Sequence, residues 1–178
     1  WVNSLVDRIV SEPLHPAGAV AEPYALWAIE AQPRLRLPCT HPAIREVPDL
    51  GPIERRKLFV LNLGHSWIVA DWLARGRAGA THVRDVMADA DWAGRLRDLY
   101  AQEVLPGFAA AGEGEGVAEY VATTLERFAN PYLDHCLEDI AQNHAEKLAR
   151  RIGAFLDWAE ANGDTGAKPQ LRAALEGK

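Results

Sequence analysis

From Leu58 to Leu73 the apolar side chains fall on nearly every side of the helix their spacing predicts, not on one stripe. A helix of that kind is normally a buried central one. Pro52 suits its first turn and Gly76 its stop, which sets a long helix from Pro52 through Ala74. Upstream, Val2 to Val10 reads as a strand-like or buried segment. Ala19 to Ala31, with Tyr24, Trp27 and Ile29, reads as a helix ending before Pro33. The irregular stretch from Gln32 to Pro52 carries five prolines, with Ile44-Arg45-Glu46-Val47 as its one short strand.

Downstream, Thr81 is expected to cap a short helix, His82 to Ala88, and Asp91 to Leu105 to form another that stops at Pro106-Gly107. Gly112-Glu113-Gly114-Glu115-Gly116 reads as a flexible loop. It lacks G-x-G-x-x-G spacing, and its glutamates would repel phosphate. Val117, Val121, Leu125 and Phe128 then recur at helical spacing, as do Leu133, Leu137, Ile140, His144 and Leu148 on a following helix. Ile152 to Ala161 extends the helical run, and Gly163 to Lys178 reads as a loosely held tail. The expectation is a mainly α, multi-helical domain over residues 1–162, with at most one short strand or hairpin, and a tail over 163–178.

Composition narrows the function classes. A chain of 178 residues can bury a sizeable core. Its formal net charge of −6 gives no electrostatic footprint for nucleic acid or an anionic membrane, so neither is expected as a partner. No apolar run approaches the roughly 20 residues of a membrane span. The two cysteines, Cys39 and Cys136, lie far apart without a CxxC, which fits a reduced, cytoplasmic protein. The chain begins at Trp1 and is already in an apolar segment within a few residues, so a preceding portion is expected.

The chemistry concentrates in Lys57-Leu58-Phe59-Val60-Leu61-Asn62-Leu63-Gly64-His65. At about 100° per residue, Lys57, His65 and Asn62 fall at roughly 0°, 80° and 140°, near enough to share one pocket. Burial disfavours the charged form of a lysine, which suits such a group to act as a general base. Asn62 and His65 can both donate and accept. The bland reading stands beside this one: Lys57 snorkels beside Arg55 and Arg56, Asn62 bonds its own helix, and His65 is a satisfied core histidine. The scattered histidines and cysteines lack metal-site spacing, so no metal is expected. Gly64-His65-Ser66 is no nucleophile elbow.

Four segments, in order, resemble landmarks of one family. They are Asn3-Ser4-Leu5-Val6-Asp7-Arg8-Ile9-Val10, Ala21-Glu22-Pro23-Tyr24-Ala25-Leu26-Trp27, Lys57 to His65, and Arg127-Phe128-Ala129-Asn130-Pro131-Tyr132. The family is that of the polyol-specific long-chain dehydrogenases, which includes mannitol 2-dehydrogenase, mannitol-1-phosphate 5-dehydrogenase and the tagaturonate and fructuronate reductases. The resemblance implies the C-terminal, mainly helical substrate domain, similar to that of 6-phosphogluconate dehydrogenase. An N-terminal Rossmann-type NAD domain belongs to the family's remaining part, so this chain alone is expected to be inactive.

By the same resemblance the reaction is metal-free and interconverts a secondary alcohol and a ketone. Lys57 aligns with a catalytic lysine, Asn62 and His65 with residues that hold the reacting oxygen, and Asp7 with an acidic substrate-site residue. Without the resemblance, Asp7 reads as a plain ion pair with Arg8 or as a cap. Arg127 to Lys147 runs without a gap against the pattern associated with tagaturonate reductase. An arginine is expected in mannitol 2-dehydrogenase where this chain has Asp139, which disfavours mannitol. His135, Asn143 and Lys147 are expected to meet the substrate, in that case a sugar-acid carboxylate; the bland reading, surface or core helix residues, stands beside this one, for His135 above all. The other class kept open is a non-catalytic helical binding or oligomerisation domain that retains the family core.

Overall fold

The computed structural model describes residues 1–37 and 39–177. At its centre is one continuous helix over residues 51–74. It is built from α1 (Gly51–Arg56), a π-helical turn (Lys57–Asn62) and α2 (Leu63–Ala74). Eight of the twelve α2 residues are buried, including Leu63, Trp67, Ile68, Val69 and Trp72, as an all-round apolar helix requires.

The other helices wrap this one. They are α3 (Val83–Ala88), α4 (Ala90–Leu99), α5 (Leu105–Ala110), α6 (Val117–Phe128), α7 (Leu137–Ala141), α8 (His144–Leu148), α9 (Ala154–Ala161) and α10 (Pro169–Glu176). Two further π-helical turns, Tyr100–Val104 and Ala149–Gly153, join α4 to α5 and α8 to α9, and both pack against the π turn of the central helix. Phe59 of that turn meets Phe155 at 5.4 Å and Trp158 at 5.3 Å between ring centroids.

The expectation of at most one short strand or hairpin is overturned. Five strands form two sheets: β1 (Ser4–Asp7), β4 (Leu26–Glu30) and β5 (Ile44–Val47) in the order β1-β4-β5, and a hairpin of β2 (Val10–Leu14) with β3 (Gly18–Ala21). The fold is mixed, a helical body with strands before it. Residues 19–31, read as a helix, supply β3 and β4 instead. β4 pairs antiparallel with β1, setting Val6 opposite Trp27, and parallel with β5, setting Trp27 opposite Ile44. Those partners are distant in sequence, and the tertiary pairing overrides the helix preference of the alanines. The short strand expected at Ile44–Val47 is β5.

Several helix boundaries also move. Asp85 Oδ2 accepts from the backbone N–H of both Thr81 and His82, so α3 starts behind His82 as its N-cap. Pro106-Gly107 does not stop a helix. Pro106 lies in the first turn of α5, and a Cβ on Gly107 would come within 2.8 Å of Phe155, so this glycine marks a close helix crossing. The stripe from Leu133 to Leu148 is split between α7 and α8 by Asn143, at φ 55°.

The segment after Gly163, expected as a loose tail, contains α10, whose Leu171 is fully buried. Buried Glu103 accepts the N–H of Gln170 at 2.9 Å and of Leu171 at 3.0 Å, placing a carboxylate at the N-terminus of α10.

Candidate active site

The π-helical turn shifts the side-chain positions that a 100° step would give. Even so, Lys57, Asn62 and His65 all line one cleft of about 340 Å³. A π turn inside an α-helix often marks a functional site. Lys57 is half-buried at the wall, and its Nζ donates to the backbone carbonyl of Val6 at 2.5 Å. His65 lies deepest, at 5% exposure, with its ring 4.3 Å from that of Phe128 and 4.6 Å from that of His135.

Burial, and secondly the neighbouring His135, Arg151, Arg127 and Lys147, pushes the His65 imidazole well below its ordinary range. His135 is lowered to about 4, chiefly by burial; Asp139 opposes the shift and Lys147 adds to it. Both rings are therefore neutral near pH 7. Ser11 Oγ, His65 Nε2 and His135 Nδ1 are buried without a hydrogen-bond partner among the described residues, and all three residues line the cleft. Buried polar atoms left in that condition mark a place where a ligand or water completes the bonding.

The opposite wall comes from α7, α8 and the third π turn. Lys147 Nζ donates to the Ile140 carbonyl at 2.9 Å, and burial and then Arg151 lower its pKa. Arg151 Nη1 donates to Ser66 Oγ at 3.1 Å and makes a longer contact of 3.4 Å to the Asn62 carbonyl. Asp139 also lines the cleft. Asn143 does not. It is exposed and lines the adjoining groove, which shares Asn62, Lys147 and Arg151 with the cleft. Among the described residues no group of three or more His, Cys, Asp or Glu could hold a metal ion.

Asp7, another expected substrate residue, also lies outside the cleft. At 1% exposure its carboxylate receives Arg127 Nη2 at 2.8 Å and the Tyr120 hydroxyl at 2.5 Å. Its ion-pair partner is thus Arg127, not Arg8. Buried Glu22 accepts from the other side of the same guanidinium, Nη2 at 2.7 Å and Nε at 2.9 Å, and from the N–H of Ile9 at 2.5 Å. The Arg127 guanidinium also lies 4.1 Å over the Tyr24 ring. Three of the four segments that carried the resemblance therefore meet at one buried charge cluster. That reading did not single out Glu22 and Arg127; Glu22 stands charged between Ala21 and Pro23, while Arg127, beside Glu126, carries no such local mark.

A family model described as the mannitol dehydrogenase C-terminal domain matches residues 49–171. The chain belongs to the mannitol dehydrogenase C-terminal domain family. Two relatives illustrate the range of that family. Altronate oxidoreductase of Bacillus subtilis is 31% identical over 92% of this chain and 36% of its own length. Mannitol-1-phosphate 5-dehydrogenase of Halalkalibacterium halodurans is 30% identical over 82% of this chain and 39% of its own.

Among solved structures, substrate-free D-sorbitol dehydrogenase superposes with a TM-score of 0.81 at 21% identity, covering 99% of this chain and 38% of that one. The ternary complex of Pseudomonas fluorescens mannitol 2-dehydrogenase with NAD and D-mannitol gives 0.79 at 19% identity, with the same two coverages. At those identities the likeness is one of fold. The chain spans well under half the length of these relatives.

Proposed function

We propose that this domain carries the substrate site and the proton-transfer lysine of an NAD-dependent oxidoreductase. The reaction interconverts a secondary alcohol and a ketone on an open-chain polyol or sugar acid, of the mannitol/fructose or altronate/tagaturonate type. The observation that carries the reading is the convergence of Lys57, Asn62, His65 and His135 on one cleft with buried, unpartnered polar atoms. Three such atoms gathered in one cleft call for a ligand there, which weighs against a purely oligomerising domain.

Lys57, held by the Val6 carbonyl, takes the hydroxyl proton in oxidation and returns it to the forming alkoxide in reduction. Asn62 and neutral His65 donate to the reacting oxygen and stabilise its developing charge. When bound, NAD supplies the hydride acceptor. The glycine-rich loop is engaged within the chain instead: Glu113 is clamped by Arg55 at 2.5 and 2.8 Å, and Arg56 donates to the Glu115 carbonyl at 2.6 Å. NAD is accordingly assigned to an N-terminal domain of the same protein, the partner that completes the site.

The test is an NAD(H)-linked screen of the full-length protein against hexitols, hexitol phosphates, hexonates and their keto forms. Turnover of at least one pair supports the reading, and none on any pair overturns it.

A further inference from the structure

Four cations line the cleft, Arg8, Lys57, Lys147 and Arg151, against the single carboxylate of Asp139. That balance opposes the net charge of the whole chain, −6. Most arginines on the helical body are matched to carboxylates, as in Arg55–Glu113, Arg95–Asp71 and Arg127–Asp7. Among the described residues none of the four cleft cations has a carboxylate at ion-pair distance.

Lys147 and Arg151 make the mismatch sharpest. They stand four residues apart on one helical run, where like charges repel. Both are part-buried, and each bonds only uncharged groups: the Ile140 carbonyl for Lys147, and Ser66 Oγ and the Asn62 carbonyl for Arg151. Bringing two unpaired cations together out of water is costly unless something anionic arrives between them. Arg151 Nη1 is occupied by Ser66 and Asn62, while its Nη2 and Nε carry no bond among the described residues. Those two nitrogens form the edge of a guanidinium suited to two parallel bonds to an oxyacid. Arg151 also lies on the third π turn, which packs against the one holding Lys57 and Asn62.

We propose that Arg151, with Lys147 beside it, is the specificity determinant of this site: it binds a terminal anionic oxyacid group, a carboxylate or a phosphomonoester, on the open-chain substrate whose alcohol carbon reacts at Lys57. The proposal rests on the dehydrogenase reading for where the reacting carbon sits. The charged end lies along the wall shared with the adjoining groove. A neutral hexitol leaves the cation pair uncompensated.

The experiment compares full-length wild type, Arg151→Met and Arg151→Lys on three ligands of equal carbon length: a hexonate, a hexitol 1-phosphate and a neutral hexitol. Equilibrium binding is measured by calorimetry, and kcat and KM by NAD reduction. The wild type is expected to bind at least one anion more tightly than the hexitol, and the stronger of the two anions identifies the group. Arg151→Met is expected to shrink that preference about tenfold or more, through KM rather than kcat, and Arg151→Lys to keep part of it.

A wild type that prefers the neutral hexitol overturns the proposal. So does an Arg151→Met protein that weakens all three ligands alike, since bracing Asn62 and Ser66 would then be the whole role. If the methionine variant does not fold, the wild-type preference and the lysine variant still decide. Arg151-dependent anion binding without NAD-linked turnover supports the anion site and removes the dehydrogenase. Hexitol turnover with no anion preference does the reverse.

Discussion

Arg127 Nη2 lies 2.8 Å from Asp7 Oδ1, so one guanidinium on α6 fixes the end of β1 across a separation of 120 residues. The same strand supplies the Val6 carbonyl that receives Lys57 Nζ. The buried charge cluster and the candidate proton-transfer group are thus joined through a single strand, with Asp7 acting on the cleft from behind it.

Arg127→Met should be strongly destabilising, because it leaves Asp7 and Glu22 buried without their cation. Breaking a buried pair in this way costs about 3–5 kcal/mol. Urea unfolding would measure it. A loss under about 1 kcal/mol would mean that the two carboxylates find other partners or take up protons.

Lys57→Met in the full-length protein should lower kcat by about 10²- to 10⁴-fold, the usual range for a general acid–base, with a much smaller change in KM. A rise in KM alone would make Lys57 a binding residue and return the proton to another group. Steady-state kinetics in both reaction directions separates the two cases.

Gly64 has no room for a side chain. A Cβ there would clash with the hydroxyl of Tyr100, which itself donates to the Val60 carbonyl at 2.9 Å. Gly64→Ala should cost about 1–3 kcal/mol through overpacking beside His65. Tyr100→Phe removes the clashing oxygen and should recover part of that loss in the double variant. Strict additivity of the two substitutions in a denaturation cycle would show that they do not share the space.

Acid should weaken the fold through the cleft histidines. His135 has its pKa lowered from 6.5 to about 4 in the folded chain, so between those values the unfolded chain binds more protons and stability rises with pH. Acidification from about pH 6.5 to about pH 4 should therefore remove on the order of 2–3 kcal/mol from His135 alone, with little further loss below that. His65, also lowered by its burial, adds in the same direction. His135→Gln should flatten the dependence measured by urea unfolding at several pH values. An unchanged slope in that variant would place the acid sensitivity elsewhere.

The parts of the fold legible in the sequence are those decided locally. The central helix announces itself by apolar residues on every side between Pro52 and Gly76, and α6 by Val117, Val121, Leu125 and Phe128. The sheet was hidden because β4 is defined by partners at 4–7 and 44–47, and nothing within 19–31 records them. Asn143 broke an apolar stripe that periodicity alone reads as continuous, since asparagine tolerates a positive φ.

For the site, Lys57, Asn62 and His65 stood out as polar groups in an apolar helix, and the cleft gathers them with His135 and Lys147. The role of Arg151 was not legible. Its sequence neighbours are Arg150 and Ile152, and only the packing of one π turn on another brings it beside Asn62.

The hold on Lys57 comes from the main chain of residue 6, and the valine side chain there is exposed. Every amino acid presents the same carbonyl oxygen, proline included. Side-chain drift at position 6 would therefore leave the lysine tether in place, and only a shift of β1 itself would release it. In a set of diverging sequences this interaction would go unmarked by any preferred residue at that position, although the candidate proton-transfer group leans on it directly.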